Sequence, residues 1–135
     1  MKKTIVIFSN PFGYGPTGAV VPILKALRSS VKNVRFIFAG SSLCMEIMKD
    51  MAVDKTLLDE RNTNIIREYL KTVENPYVIG SQNKFSIKAA KGLNIPCVYI
   101  DLLSWFWKKI PQDHFDADEI FWPRFPEIKN KLLIG

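Results

Sequence analysis

The stretch "TIVIFSNPFGYGPTGAVVPILKAL", residues 4–27, decides how the rest of the chain is interpreted. It begins with β-branched and aromatic residues, which predict a strand buried on both faces over residues 4–9. Three glycines and two prolines follow, and apolar residues then recur at helical spacing from Val20 to Leu27. A glycine-rich turn between a buried strand and an amphipathic helix is typical of the first unit of a doubly wound α/β domain.

Short apolar runs continue to alternate with helical periodicity along the rest of the chain. Strands are predicted over residues 33–40, 53–59, 76–81 and 95–103 and near 119–122. Helices are predicted over residues 41–51, 65–73 and 84–94, the last ending at Gly92 in a left-handed cap. This alternation predicts βαβ units and right-handed crossovers. The expected fold is α/β: a Rossmann-like, doubly wound, mainly parallel sheet with three α/β/α layers, and residues 1–135 as a single domain.

The charge and cysteine pattern restricts the partners and the compartment. The net charge is +6, but the lysines and arginines are scattered and never form a run of four. We therefore expect a solvated basic surface and no nucleic-acid partner, while an anionic membrane surface stays among the partners that the charge favours. Cys44 and Cys97 lack metal-ligand spacing, which predicts buried reduced thiols, no metal and a cytoplasmic location. The apolar run at residues 4–8 is too short for a secretory signal or a membrane span.

The glycine-rich loop matches nucleotide motifs only in part. No lysine follows Gly18, which excludes a Walker A sequence, whereas Gly13, Gly15 and Gly18 have the spacing of the dinucleotide fingerprint GxGxxG. The second strand ends without the acidic residue that binds a ribose, and Pro16 lacks an N–H that the phosphates would use. The helix is predicted to begin at Thr17 or Gly18, which places the last glycine too early. These features disfavour a dinucleotide site and leave a plain glycine turn as one interpretation.

A resemblance to a known family rests on several segments in order. The first strand, "GYGPTGAVVPILKALR" and "VRFIFAGSS" resemble the start of GT-B glycosyltransferases of the macrolide and glycolipid type. Residues 18–22 align with that family's Gly-His-x-x-Pro element at the head of the first helix. "NPYVIGSQNKFSIKAAKGLNIPCVYID", "FDADEIFWP" and "KLLIG" are similar to later segments of the same N-terminal, acceptor-binding domain. The likeness spans nearly the whole chain.

This resemblance implies half of an enzyme that transfers sugar from a nucleotide sugar to a hydroxyl acceptor. The family's general-base histidine is replaced by Ala19, which cannot take a proton. The chain stops where the donor-binding domain would begin, so the resemblance implies no activity alone and no tightly bound cofactor, with a nucleotide sugar only when a second domain is present. The implied partners are a donor-binding domain or subunit and a small-molecule or glycolipid acceptor.

Candidate site residues lie where the predicted strands end, because ligands of open α/β sheets bind at the carboxyl edge. Asp101 ends the fifth strand and is the candidate catalytic base, with capping of the next turn as the alternative. Further candidates for substrate binding are Gly13, Tyr14, Gly15, Thr17, Gly18, Ala19, Ser81, Gln82 and Asn83. Ser81 is equally expected as a helix N-cap.

The aromatic segment after the fifth strand is the last candidate surface. Trp105, Phe106 and Trp107 are adjacent and cannot all face one core, so Trp105 is predicted to stack on a sugar ring. Residues 105–107 would otherwise form a homo-oligomer interface or pack over the sheet edge. His114 is expected at the surface and outside the site.

Two other functions remain open from the sequence. One is a small flavodoxin-like module that binds a nucleotide or a phosphate through residues 13–18. The other is a non-catalytic interaction protein that docks through its basic surface and the tryptophans.

Overall fold

Strands and helices alternate along the computed structural model, which describes residues 2–11, 15–101 and 116–121. The strands are β1 (Lys3–Ser9), β2 (Val34–Gly40), β3 (Asp54–Leu57), β4 (Pro76–Ser81), β5 (Cys97–Ile100) and β6 (Glu119–Phe121). The helices in the described ranges are α1 (Gly15–Ser30), α2 (Ser42–Ile47), α3 (Thr63–Leu70) and α4 (Lys84–Gly92). None of these helices is long and apolar enough to cross a membrane.

The six strands form one sheet in the order β3-β2-β1-β4-β5-β6, and every neighbouring pair is parallel. The predicted Rossmann-like α/β fold is confirmed. From β1 the sheet is extended on one side by β2 and β3 and on the other side by β4, β5 and β6. The strand order therefore reverses between β1 and β4, and ligands of such sheets bind at that reversal. A flavodoxin-like sheet has the order 2-1-3-4-5, so that part of the sequence-based alternative is wrong.

Both faces of the sheet are covered, which is why β1 has a continuous apolar sequence. Successive side chains of a strand point to opposite faces. Val6 and Phe8 accordingly pack in one buried cluster with residues of α3 and α4. Ile7 packs in a second cluster with Val20 and Leu24 of α1 and with residues of α2. The result is the predicted three-layer arrangement.

Two helix ends differ from the sequence-based predictions. The α1 helix begins at Gly15 instead of Thr17 or Gly18, so Pro22 lies inside the helix and not in its first turn. The Pro22 ring is exposed, and its missing N–H leaves the Gly18 carbonyl without the usual helical donor. Gly92 is the last residue of α4, and the left-handed conformation belongs to Asn94, with φ 57°. Asparagine tolerates that conformation because its side chain is short and polar.

Gly80 in β4 permits a close approach that no other residue would allow. A Cβ there would stand 2.7 Å from both the Asn83 backbone oxygen and Ser86 Oγ. We expect Gly80→Ala to lower the free energy of unfolding by roughly 1–3 kcal/mol, because the backbone must shift. Gly92→Ala is the matched control, since its Cβ meets only the flexible Arg67 side chain at 3.5 Å. Urea unfolding of the two variants measures the difference, and equal stabilities would contradict this explanation.

Candidate functional site

The carboxyl edge of the sheet carries a cavity beside the ends of β1, β2 and β3. Its volume is about 740 Å³, and its lining comes from Asn10 and Pro11, from residues 41–43 and from residues 57–61. Leu43 and Leu57 line it although they are 48% and 71% exposed. Exposed leucines flanking a cavity provide apolar walls for a flat ligand.

The first turn of α1 lies at the same edge of the sheet, and no described residue covers its two glycines. Gly15 and Gly18 are exposed, and no described atom lies within 4 Å of where their Cβ atoms would stand. Packing against the described residues therefore does not require glycine at either position. The first amides of a helix lack partners inside the helix, and at α1 only Pro16 cannot offer one. This turn can receive an anionic group at close range.

Two hydrogen bonds, one buried and one partly buried, hold that turn at the point where the sheet order reverses. The Thr17 hydroxyl is fully buried and lies 2.6 Å from Ser9 Oγ at the end of β1. Ser81 Oγ, at the end of β4, donates to the Pro16 carbonyl at 2.6 Å. Of the predicted binding residues, Thr17 and Ser81 thus use their side chains to hold the helix, and Gly15 and Gly18 remain open to a ligand.

A buried polar chain continues from this turn to the loop after β3. Cys44 Sγ lies 3.4 Å from Thr17 Oγ1 and 3.5 Å from Glu60 Oε1. Ser41 Oγ donates to the same Glu60 oxygen at 2.7 Å, and Glu60 is only 1% exposed. The sequence analysis did not single out Glu60. The available signal was an acidic residue soon after a parallel strand, at the edge where ligands bind.

Gln82 and Asn83, which follow β4, use their side chains to hydrogen-bond to neighbouring segments. Asn83, and not Ser81, is the N-cap of α4, and its amide also donates to the carbonyls of Ser9 and Glu60. Gln82 has φ 51°, and its Nε2 donates to the Tyr99 hydroxyl at 3.1 Å. Asn83 therefore joins the ends of β1, β3 and β4 behind the cavity.

Two of the other predicted site residues lie in the described ranges. Asp101 is buried directly after β5, and Ala19 is half-buried in the first turns of α1. Gly13, Tyr14, Trp105, Trp107 and His114 lie outside the described residues.

The two cysteines are buried and free, as predicted. Burial raises the pKa of the Cys97 thiol, which keeps it protonated at neutral pH. Cys97 begins β5, and the cavity lies at the carboxyl ends of the strands, so this thiol is at the opposite edge of the sheet.

Comparison with known proteins gives matches among solved structures. No family model matches the sequence, and no curated protein matches it. Saccharopine dehydrogenase from Saccharomyces cerevisiae is 13% identical with a TM-score of 0.53, over 84% of this chain and 23% of that one. What they share is the Rossmann fold.

Two further matches have lower TM-scores. A wide-type short-chain dehydrogenase/reductase from Veillonella parvula, in complex with NADP, is 15% identical with a TM-score of 0.46, over 98% of this chain and 64% of that one. An NADPH-dependent quinone oxidoreductase from Escherichia coli is 15% identical with a TM-score of 0.49, over 96% and 42%. The chain spans less than two thirds of each of these three proteins.

The match to saccharopine dehydrogenase corrects the resemblance to GT-B glycosyltransferases, which was wrong. That protein, with a TM-score of 0.53, is a dehydrogenase and not a glycosyltransferase. The segments that suggested the resemblance, a glycine turn at a helix start and Ile95-Pro96 before a strand, suit any βα unit. Because they rested on this resemblance alone, we no longer expect sugar transfer, an acceptor-binding role or a donor-binding domain.

Proposed function

We propose that this chain is a nucleotide-binding Rossmann module that holds a nicotinamide adenine dinucleotide. One observation carries the proposal: the open, glycine-bearing first turn of α1 lies where the sheet order reverses, next to a cavity at the ends of β1, β2 and β3. In Rossmann sheets this turn receives the pyrophosphate. The proposal replaces the sequence-based prediction that no cofactor is tightly bound.

The position of Gly18 removes one objection that the sequence raised. With α1 beginning at Gly15, Gly18 lies one turn into the helix, which is the position of the last glycine in the dinucleotide fingerprint, although no contact with a described residue requires a glycine there. Pro16 removes one donor, but the amides of Gly15, Thr17 and Gly18 remain to face the phosphates. A Cβ at Gly15 or Gly18 would meet no described atom within 4 Å, so the described residues leave room for the phosphates at this turn. The described residues therefore fit the group.

The cavity suits the adenosine half of the same ligand. Leu43 and Leu57 supply apolar walls for the adenine ring, and the loop after β2 lies where a ribose would sit. The nicotinamide, on the far side of the reversal, would supply hydride transfer. The chain's own part is to bind and orient the dinucleotide by the first turn of α1 and by the cavity.

Binding of adenine nucleotides by the purified chain tests the proposal. We expect NAD⁺, NADP⁺ or ADP-ribose at about 100 times its Kd to raise the Tm by roughly 5–10 °C, since that excess adds about 2.7 kcal/mol of stability. Isothermal titration calorimetry measures the Kd, with flavin mononucleotide and UDP-glucose as comparison ligands. No heat and no Tm shift with any of the three adenine ligands would overturn the proposal, as would a response to flavin mononucleotide alone.

A further inference from the structure

The position after β2 decides which form of the dinucleotide a Rossmann module accepts. A carboxylate there binds the 2′-hydroxyl of the adenosine ribose, and an arginine nearby accommodates a 2′-phosphate. In this chain the position holds Ser41, a half-buried residue that lines the cavity. No carboxylate or arginine directly follows β2, and Arg61, which lines the same cavity, comes from the exposed loop after β3. The side chain that directly follows β2 is Ser41, so its hydrogen bonding bears on the preference.

The hydrogen of the Ser41 hydroxyl is already used. Ser41 Oγ donates to Glu60 Oε1 at 2.7 Å, and Glu60 comes from the loop after β3. Glu60 Oε1 accepts this bond, so the Ser41 hydrogen points to Glu60. The Ser41 oxygen then presents only lone pairs to the cavity. Such an oxygen can accept from a ribose hydroxyl, but it has no hydrogen to give to a phosphate oxygen.

The cavity is lined by more carboxylates than cations in the described ranges, which also favours a ribose hydroxyl over a phosphate. Its charged residues in the described ranges are the carboxylates Asp59 and Glu60 and the guanidinium of Arg61. The Arg61 backbone N–H donates to Asp59 Oδ1 at 3.0 Å, and both residues are exposed in the loop after β3. The buried Glu60 carboxylate has no cation among its described hydrogen-bond partners, Ser41 and Cys44. A 2′-phosphate would bring further negative charge beside it.

We infer that the chain selects the dinucleotide with a free 2′-hydroxyl, NAD⁺, over NADP⁺, with Ser41 reading the ribose and Glu60 as the positioning residue that keeps Ser41 an acceptor. This inference rests on the proposed function. It places the carboxylate that determines specificity after β3, one strand away from its usual place after β2, with a serine between it and the ribose.

Calorimetric Kd values for NAD⁺ and NADP⁺ at one fixed salt concentration test the inference. The wild-type protein should bind NAD⁺ about 10-fold more tightly, because NADP⁺ lacks the ribose hydrogen bond to Ser41 and brings its phosphate close to the Glu60 carboxylate. Glu60→Gln should reduce the ratio of the two Kd values at least about 5-fold, because the amide can donate to Ser41 and free its hydrogen. ADP-ribose and 2′-phospho-ADP-ribose should give the same ratios, because the difference arises at the adenosine ribose.

Glu68→Gln on the exposed surface of α3 is the matched control, with the same substitution and the same charge change. It should leave the Kd ratio unchanged. Should Glu60→Gln fail to fold, Ser41→Ala gives the same answer by weakening NAD⁺ about 10-fold with NADP⁺ unaffected. A merely structural role of Glu60 would weaken both ligands equally, and that result would overturn the inference. Equal wild-type binding of the two ligands, or a preference for NADP⁺, would overturn it and leave the proposed function standing. Binding of neither would remove both.

Discussion

Gly18→Asp should weaken dinucleotide binding by about 100-fold or more and leave the fold intact. The new carboxylate would stand in the open space above the first turn of α1, where the pyrophosphate is proposed to lie. Placing like charges next to each other at a binding site costs several kcal/mol, and each 1.4 kcal/mol is a factor of about ten in Kd. The same carboxylate is favourable for the free helix, because an acidic residue near a helix N-terminus adds about 0.3–1 kcal/mol. Binding and stability should therefore move in opposite directions.

Two control variants separate charge from shape at this turn. Ala26→Asp makes the same charge change at an exposed position further along α1 and should alter the Kd less than about 2-fold. Gly18→Ala adds only a methyl group and should raise stability by roughly 0.5–1 kcal/mol, since glycine is a poor helix residue. Calorimetry and thermal unfolding measure both quantities. An aspartate at position 18 that leaves the Kd unchanged would mean that the phosphates do not lie at this turn.

Leu24→Ala should produce the largest loss of stability among single substitutions in α1. Leu24 is fully buried and packs with Ile7, Phe38 and Met48 between the helix and the sheet. Truncation of a buried leucine costs about 2–5 kcal/mol, because it removes apolar burial and leaves a cavity. That is a large fraction of the roughly 5–15 kcal/mol that stabilises a domain. We expect the Tm to fall by roughly 8–15 °C.

Leu57→Ala is the matched control for this loss. The substitution is identical, but Leu57 is 71% exposed at the end of β3, so little buried surface is removed. Its free energy of unfolding should change by less than about 0.5 kcal/mol. Urea unfolding of both variants gives the comparison. Similar losses at the two positions would mean that burial does not determine the stability of this sheet.

The sequence predicts the sheet well because its strands are buried on both faces. The apolar run in β1 and the helical periodicity of α1 are local signals, and each follows from which faces are covered. The start of α1 was predicted late because Pro22 suits a first turn by its local preference. In the structure it lies inside the helix, where its exposed ring is tolerated despite the lost hydrogen bond. Packing of α1 against the sheet decides the boundary, and that information is not local.

The site was predicted less well because its parts come from distant segments. Thr17 looked like a ligand-facing hydroxyl, yet it turns inward to Ser9, which only the crossing of α1 over β1 could show. Ser41 and Glu60 are 19 positions apart and meet because β2 and β3 are neighbours in parallel register. No spacing motif covers that pair. The resemblance to glycosyltransferases failed for a related reason, since turns that are common to many βα units identify a fold and not its ligand.

The hydrogen bonds that tie Thr17 to Ser9 and Ser81 to the Pro16 carbonyl also have a kinetic consequence. They order the first turn of α1 during folding, before any nucleotide arrives. A phosphate of the proposed dinucleotide would meet amides that are already in place. The free energy of binding would then not be reduced by the loss of conformational entropy in this turn. If the proposed function holds, nucleotides that differ in affinity should have similar association rates and different dissociation rates.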